Sequence, residues 1–185
     1  MDESLIKQAA DVLDIRAVFL HQSSVRVKDG FFPQFSEDPE LRLIPQYRAG
    51  PIRQHSVISV SQDDDAFKTI IFFFAAGVRL VDSRKLNAQD NRLEDEADAV
   101  YAEITATFGV QYRFEEELGE NELGDAFKEF SRFNVGYHAW PYWREYVQST
   151  SARIGIPPIP VPMFLLPKFK KKAKRASRTK TGTQK

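Results

Sequence analysis

The run VYAEITATFGVQYRFE, residues 100–115, puts Val100, Ala102, Ile104, Ala106, Phe108, Val110, Tyr112 and Phe114 on one parity. Tyr101, Glu103, Thr105, Thr107, Gln111, Arg113 and Glu115 hold the other. Successive side chains of a strand point to opposite sides of the pleat, so a period of two held this long makes one dry face and one wet face. Such a strand belongs in an antiparallel sheet covered on one side, and the rest of the chain must supply the cover.

A second long run, FKTIIFFFAAGVRLV at 67–81, is apolar on both parities. Ile70, Phe72, Phe74, Ala76, Val78 and Leu80 read as core, whereas Ile71 and Phe73 face away and are expected to meet another subunit or a ligand. Residues 15–28 alternate more loosely and break near His21; HSVISVS at 55–61 reads as a brief strand and DDDA at 63–66 as a turn. Helical spacing is found at 4–13, at 125–134 behind a capping Asp125, and between Pro141 and Gly155. Proline suits the first turn of a helix and glycine the position just past its end. In that last helix Tyr142, Trp143 and Tyr146 lie on an apolar stripe with Val147, Thr150 and Ile154. Strands precede the longer helices, which predicts an α+β fold with the helices packed on one face of the sheet.

Two segments are apolar yet irregular. Residues 29–55 contain four prolines together with Phe31, Phe32, Phe35, Ile44 and Tyr47. Residues 156–164, IPPIPVPMF, can neither continue a helix nor join the middle of a sheet, because proline lacks the N–H that either would need. This strip presents Ile156, Pro158, Ile159, Val161, Met163 and Phe164 from an extended backbone. Contiguous apolar surface of this kind marks a binding region.

Composition removes several function classes. An apolar content of 42% is too high for a disordered chain, and no uninterrupted apolar run reaches the roughly 18 residues of a membrane span. There is no cysteine, hence no disulfide framework and no thiolate chemistry. The start MDESLIKQAADVL lacks the pattern of a signal peptide, so a cytoplasmic location is the expectation. The net charge of zero is split: nine of the 26 basic residues lie in 168–185, leaving an excess of nine acids in the first 167. Such a body repels nucleic acid and attracts basic partners. His21, His55 and His138 are scattered without ligand spacing, so neither a metal nor another cofactor is expected.

The stretch YHAWPYWREYVQSTSARIGIPPIPV, 137–161, resembles the SecB protein-export chaperones and their SecB-like relatives, including chaperones of some toxin–antitoxin systems. The matched positions are Pro141, Tyr142, Arg144, Glu145, Arg153, Pro157 and Pro158, and the alternating strand precedes them at the family's usual distance. The resemblance spans about residues 12–165. It implies a four-stranded antiparallel sheet with helices on one face, assembled as a homotetramer, a dimer of dimers. The implied activity is that of an ATP-independent holdase, not an enzyme, which keeps client polypeptides unfolded for export or assembly.

In that family clients lie in apolar grooves lined by the loop between the first two strands and by the loop after the long helix. The resemblance therefore implies client contact at Phe31, Phe32, Phe35, Ile44, Tyr47, Ile156, Pro158, Ile159, Val161, Met163 and Phe164. It implies subunit contact at Ile71, Phe73, Tyr142, Trp143 and Tyr146. Residues 1–167 are expected to form the SecB-like domain and 168–185 a disordered basic tail. Candidate partners are unfolded clients, the export motor SecA, or an antitoxin. The segment FLLPKFKKKAKR is too short and basic to supply the family's second C-terminal helix. SecA docking in SecB depends on an acidic sheet surface and the C-terminal tail.

Two other classes are open to such a chain: a small α+β enzyme with a cavity between sheet and helix, and a nucleic-acid-associated protein acting through the tail. The first lacks a convergent acid–base constellation and the second is opposed by the acidic body.

Overall fold

Strand β4 (Val100–Glu115) is central, with β1 (Asp14–Val27) on one side, β3 (Asp65–Asp82) on the other and β2 (Leu43–Gln62) at the far edge, all pairs antiparallel. The computed structural model describes residues 2–35, 38–62, 65–86, 96–115 and 120–164. Helix α1 (Glu3–Ala10) leads into β1, the four-residue α2 (Glu96–Ala99) leads into β4, and α3 (Glu120–Arg153) lies across the sheet. The register places Ile70 opposite Tyr112, Phe74 opposite Phe108 and Val78 opposite Ile104. These side chains are buried beneath α3, as the alternation at 100–115 requires. The four-stranded antiparallel sheet with helices on one face is thus the expected α+β architecture.

Strand β1 breaks where expected. The register shifts between Leu20 and Gln22, leaving His21 out of the ladder, and its ring settles 4.7 Å from Phe73 on the helix-free face. Phe19 lies on that face too, its ring seated where a side chain at Gly109 would otherwise stand.

Two expectations are corrected. Residues 29–55 are not one irregular segment, because β2 begins at Leu43 and takes in both Pro45 and Pro51. Proline is tolerated there because β2 is an edge strand, with no neighbour on one side to require an N–H. Residues 125–134 and 141–154 are not two helices either. They belong to a single helix of 34 residues with Pro141 inside it, and Asp125 is an internal residue rather than a cap. An internal proline removes one helix hydrogen bond and costs roughly 3 kcal/mol. The buried stripe Phe127, Phe130, Val135, Ala139, Trp143 and Val147 offsets that cost by packing along the sheet on both sides of Pro141. Gly136 permits the closest approach, since a Cβ there would stand 2.7 Å from the rings of Phe74 and Phe164.

Of the acidic turn at 63–66, Asp65 and Ala66 open β3 while 63–64 lie outside the described residues, as does the tail 168–185. No helix among the described residues is long and apolar enough to cross a membrane.

Candidate functional site

Helix α3 stops at a left-handed Gly155, φ 74°, where the Ile156 N–H donates to the Ser151 carbonyl at 3.0 Å. Glycine adopts that conformation without a Cβ clash, and Pro157 then prevents further helix. The chain leaves as an extended strip whose four prolines cannot join a ladder. It is fastened instead by side-chain donors: the Tyr47 hydroxyl donates to the Pro160 carbonyl at 2.5 Å, and Trp140 Nε1–H donates to the Pro162 carbonyl at 2.8 Å. Burial pushes the Tyr47 hydroxyl pKa above its ordinary value, so it remains a donor.

The strip has two faces. Ile156, Ile159 and Val161 turn inward and are buried, each burial contributing about 1.5–3 kcal/mol. Pro157, Pro158, Pro160, Pro162 and Met163 stay outside, Met163 being 69% exposed. Phe164 lies across the rings of Phe74 and Trp140 and is half-buried. The expectation that the whole strip projects outward is therefore corrected: alternate residues of an extended chain point to opposite sides, and here one side is core.

Between the strip and the loop 28–42 runs an open apolar trough of about 370 Å³. Phe31, Pro33, Leu41, Leu43 and Pro45 form one wall and 156–160 the other. The loop is pinned at both ends. Phe31 meets Tyr101 edge-on at 4.9 Å, and Lys28 lies over the same ring while its Nζ donates to Asp98. At the other end Arg84 bridges Asp38 at 2.8 Å and the buried Asp82 at 2.7 Å. That guanidinium holds both carboxyls below their ordinary pKa range. Phe32 and Phe35, at the middle of the loop, are 65% and 78% exposed. Ile44 pairs with Val81, on the opposite parity from Leu43 and Pro45, and so stands off the trough.

A second groove, about 380 Å³, lies on the other side of the strip, between β1 and α3. Ile15, Val18, Tyr137, Pro141, Tyr142, Arg144, Met163 and Phe164 line it. This groove is not legible in the sequence, because it joins the first strand to the middle of a helix more than 100 residues later; the only signal is that Tyr137, Pro141 and Arg144 share a helix face. Arg144 lines this groove from α3. Among the described residues it has no carboxylate partner: its Nη1 reaches only Met163 Sδ at 3.3 Å, and its buried Nε has no hydrogen-bond partner.

Of the residues expected at a subunit contact, Ile71 and Phe73 are half-buried on the helix-free face and Tyr142 is 48% exposed. Tyr146 is half-buried between Trp143 and Phe108. Trp143 is 1% exposed within a single chain and leaves no surface for a partner, so it is a core residue. Its helix turn faces the sheet, which the apolar stripe alone could not distinguish from a stripe facing another subunit.

No protein-family model matches the sequence. No curated protein matches it either. Among solved structures it is similar to the SecB-like chaperone Rv1957 of Mycobacterium tuberculosis, solved in complex with a ChAD peptide from the Rv1956 HigA1 antitoxin. The TM-score is 0.59 at 17% identity, over 90% of this chain and 100% of that one. The chain therefore has the SecB-like fold.

Proposed function

We propose that the protein is a SecB-like, ATP-independent holdase of the cytoplasm, which binds unfolded polypeptide segments in the apolar grooves on either side of the proline strip. The observation that carries this reading is the trough between loop 28–42 and residues 156–160, built on a fold shared with a chaperone that holds a peptide. Prolines on one wall offer contact surface without N–H groups that a varied client would leave unsatisfied, and their stiffness limits the conformational entropy lost on binding. Phe31, Phe32, Phe35, Pro158, Met163 and Phe164 are the proposed client contacts. Ile156, Ile159 and Val161 shape the strip from beneath, and Tyr47 anchors it.

A homotetramer is part of the proposal. The edge strand β1 leaves Ile15, Leu20 and Val25 between 40% and 45% exposed, a row that a second copy would cover. Clients of the antitoxin type are supported better than docking to an export motor. On the helix-free face Arg26 and Arg48 both pair with the carboxylate of Glu103, whereas SecA docking in SecB depends on an acidic sheet surface.

The test is dilution of a chemically denatured client into buffer with the protein and no nucleotide. Stoichiometric suppression of light scattering is expected. Aggregation at the unprotected rate would remove the proposal.

A further inference from the structure

The outer wall of the trough is tied to the rest of the fold through one side chain. Among the described residues of 32–41, the ion pairs are those of Asp38 and Glu40, and both lead to Arg84, at 2.8 Å and 4.0 Å. The hydrogen bonds of that wall are otherwise local turns: the Phe35 N–H donates to the Phe32 carbonyl, the Leu41 N–H to the Asp38 carbonyl and the Glu40 N–H to the Asp38 carboxylate. Arg84 has two unequal partners. Asp82, whose side chain is fully buried, takes Nε at 3.0 Å and Nη2 at 2.7 Å and accepts from the Arg84 backbone N–H as well. A buried carboxylate left unpaired is strongly destabilising, so the guanidinium stays in place whatever the loop does. The second pair is different, because the Asp38 side chain is 44% exposed and that of Arg84 42%. An ion pair so open to water and salt is weak. One end of the bridge is therefore fixed and the other can let go.

We infer that the Asp38–Arg84 pair is a salt-sensitive latch on the trough, regulating its affinity for extended apolar segments. The inference rests on the holdase reading and deepens it by assigning a regulation to the same site. With the latch closed, Pro33 and Leu41 stand opposite Ile156–Pro160 before a segment arrives, so binding has little chain to order. With the latch open, the wall keeps its hold at Phe31, packed on the core, and at Arg42, whose carbonyl accepts from the Ser83 N–H at 2.9 Å. The stretch between them then has to be ordered by the segment itself, and affinity falls. Salt separates this device from plain apolar contact. Apolar burial is not screened by ions, whereas a part-exposed ion pair is.

The experiment measures fluorescence anisotropy of a short uncharged peptide of Leu, Val and Phe, acetylated and amidated, with the full-length protein in low and in molar sodium chloride. Affinity should fall about threefold to fivefold as salt is raised, the scale of one part-exposed ion pair. Asp38→Asn keeps an acceptor for the Glu40 N–H and leaves Arg84 on Asp82, so the fold is retained. It should bind with the weaker affinity at both salt concentrations. Spin labels at Phe35→Cys and Pro158→Cys, in a chain with no cysteine of its own, read the wall without any peptide. Their separation should be narrowly distributed at low salt and broad at high salt, and broad throughout when Asp38→Asn is added. An affinity that holds or rises with salt in the unmodified protein overturns the inference. So does an equal fall in Asp38→Asn, which would place the salt effect elsewhere, and so does a label separation that stays narrow in every condition. If the peptide does not bind while a denatured client is still protected, the inference alone fails. If the client is not protected either, the holdase reading fails with it.

Discussion

Tyr112 and His138 join the centre of the sheet to helix α3 through a 2.6 Å hydrogen bond between the Tyr112 hydroxyl and His138 Nδ1. Burial raises the Tyr112 pKa well above its ordinary value, so the hydroxyl stays protonated and can donate to Nδ1 of the tautomer that carries its proton on Nε2. Burial lowers the His138 pKa, because the imidazolium would be poorly solvated. In the unfolded chain histidine takes up a proton near pH 6.5. The folded chain resists doing so until a lower pH, so the unfolded state binds more protons in that interval and stability falls as pH drops through it. The urea midpoint should therefore decrease between pH 7.5 and 5.5, and His138→Gln, which keeps an acceptor without a titratable group, should lose most of that slope. An unchanged slope in the variant would place the titration elsewhere.

At the scale of elements, the proline strip is held from beneath by side chains and from its flanks by Tyr47 and Trp140. Its two faces should separate in a stability measurement. Ile159→Ala should lower the unfolding free energy by about 2–5 kcal/mol, as deletion of buried methyl groups does. Met163→Ser should change it by less than about 0.5 kcal/mol while weakening client binding, since the side chain is 69% exposed. Urea unfolding of both variants decides this, and equal losses would mean that the strip has no outer face. The sheet was legible in the sequence because period two is a local signal: the residues buried at 70–80 and 102–114 are those the alternation picks out. Helix α3 was half-legible. Its stripe was visible, but Gly136 and Pro141 mimic helix ends, and only the packing of Gly136 against Phe74 and Phe164 accounts for continuity there. Edge position made β2 hard to read, because prolines that exclude a central strand are allowed where no neighbour needs their N–H. The two irregular apolar segments were visible as composition. That Ile156, Ile159 and Val161 turn inward depends on contacts with the distant sheet and helix, which no local pattern records.

For the whole molecule, the two sides of the sheet differ in character. The helix side carries the strip and both apolar grooves, whereas the helix-free side is mostly polar, with Gln22, Ser24, Thr105 and Thr107 beside Arg26, Arg48 and Glu103. Phe19, His21 and Phe73 on that side cover one another. Client binding by apolar burial should accordingly be confined to the grooves, and site-specific photo-crosslinking tests this most directly. A photo-reactive amino acid is placed in turn at Phe32, Pro158 and Met163 around the strip and at Thr107 on the helix-free face, and an unfolded client is added. Crosslinks are expected from the first three positions and none from Thr107. Crosslinks from Thr107 with silence at Phe32, Pro158 and Met163 would contradict that confinement.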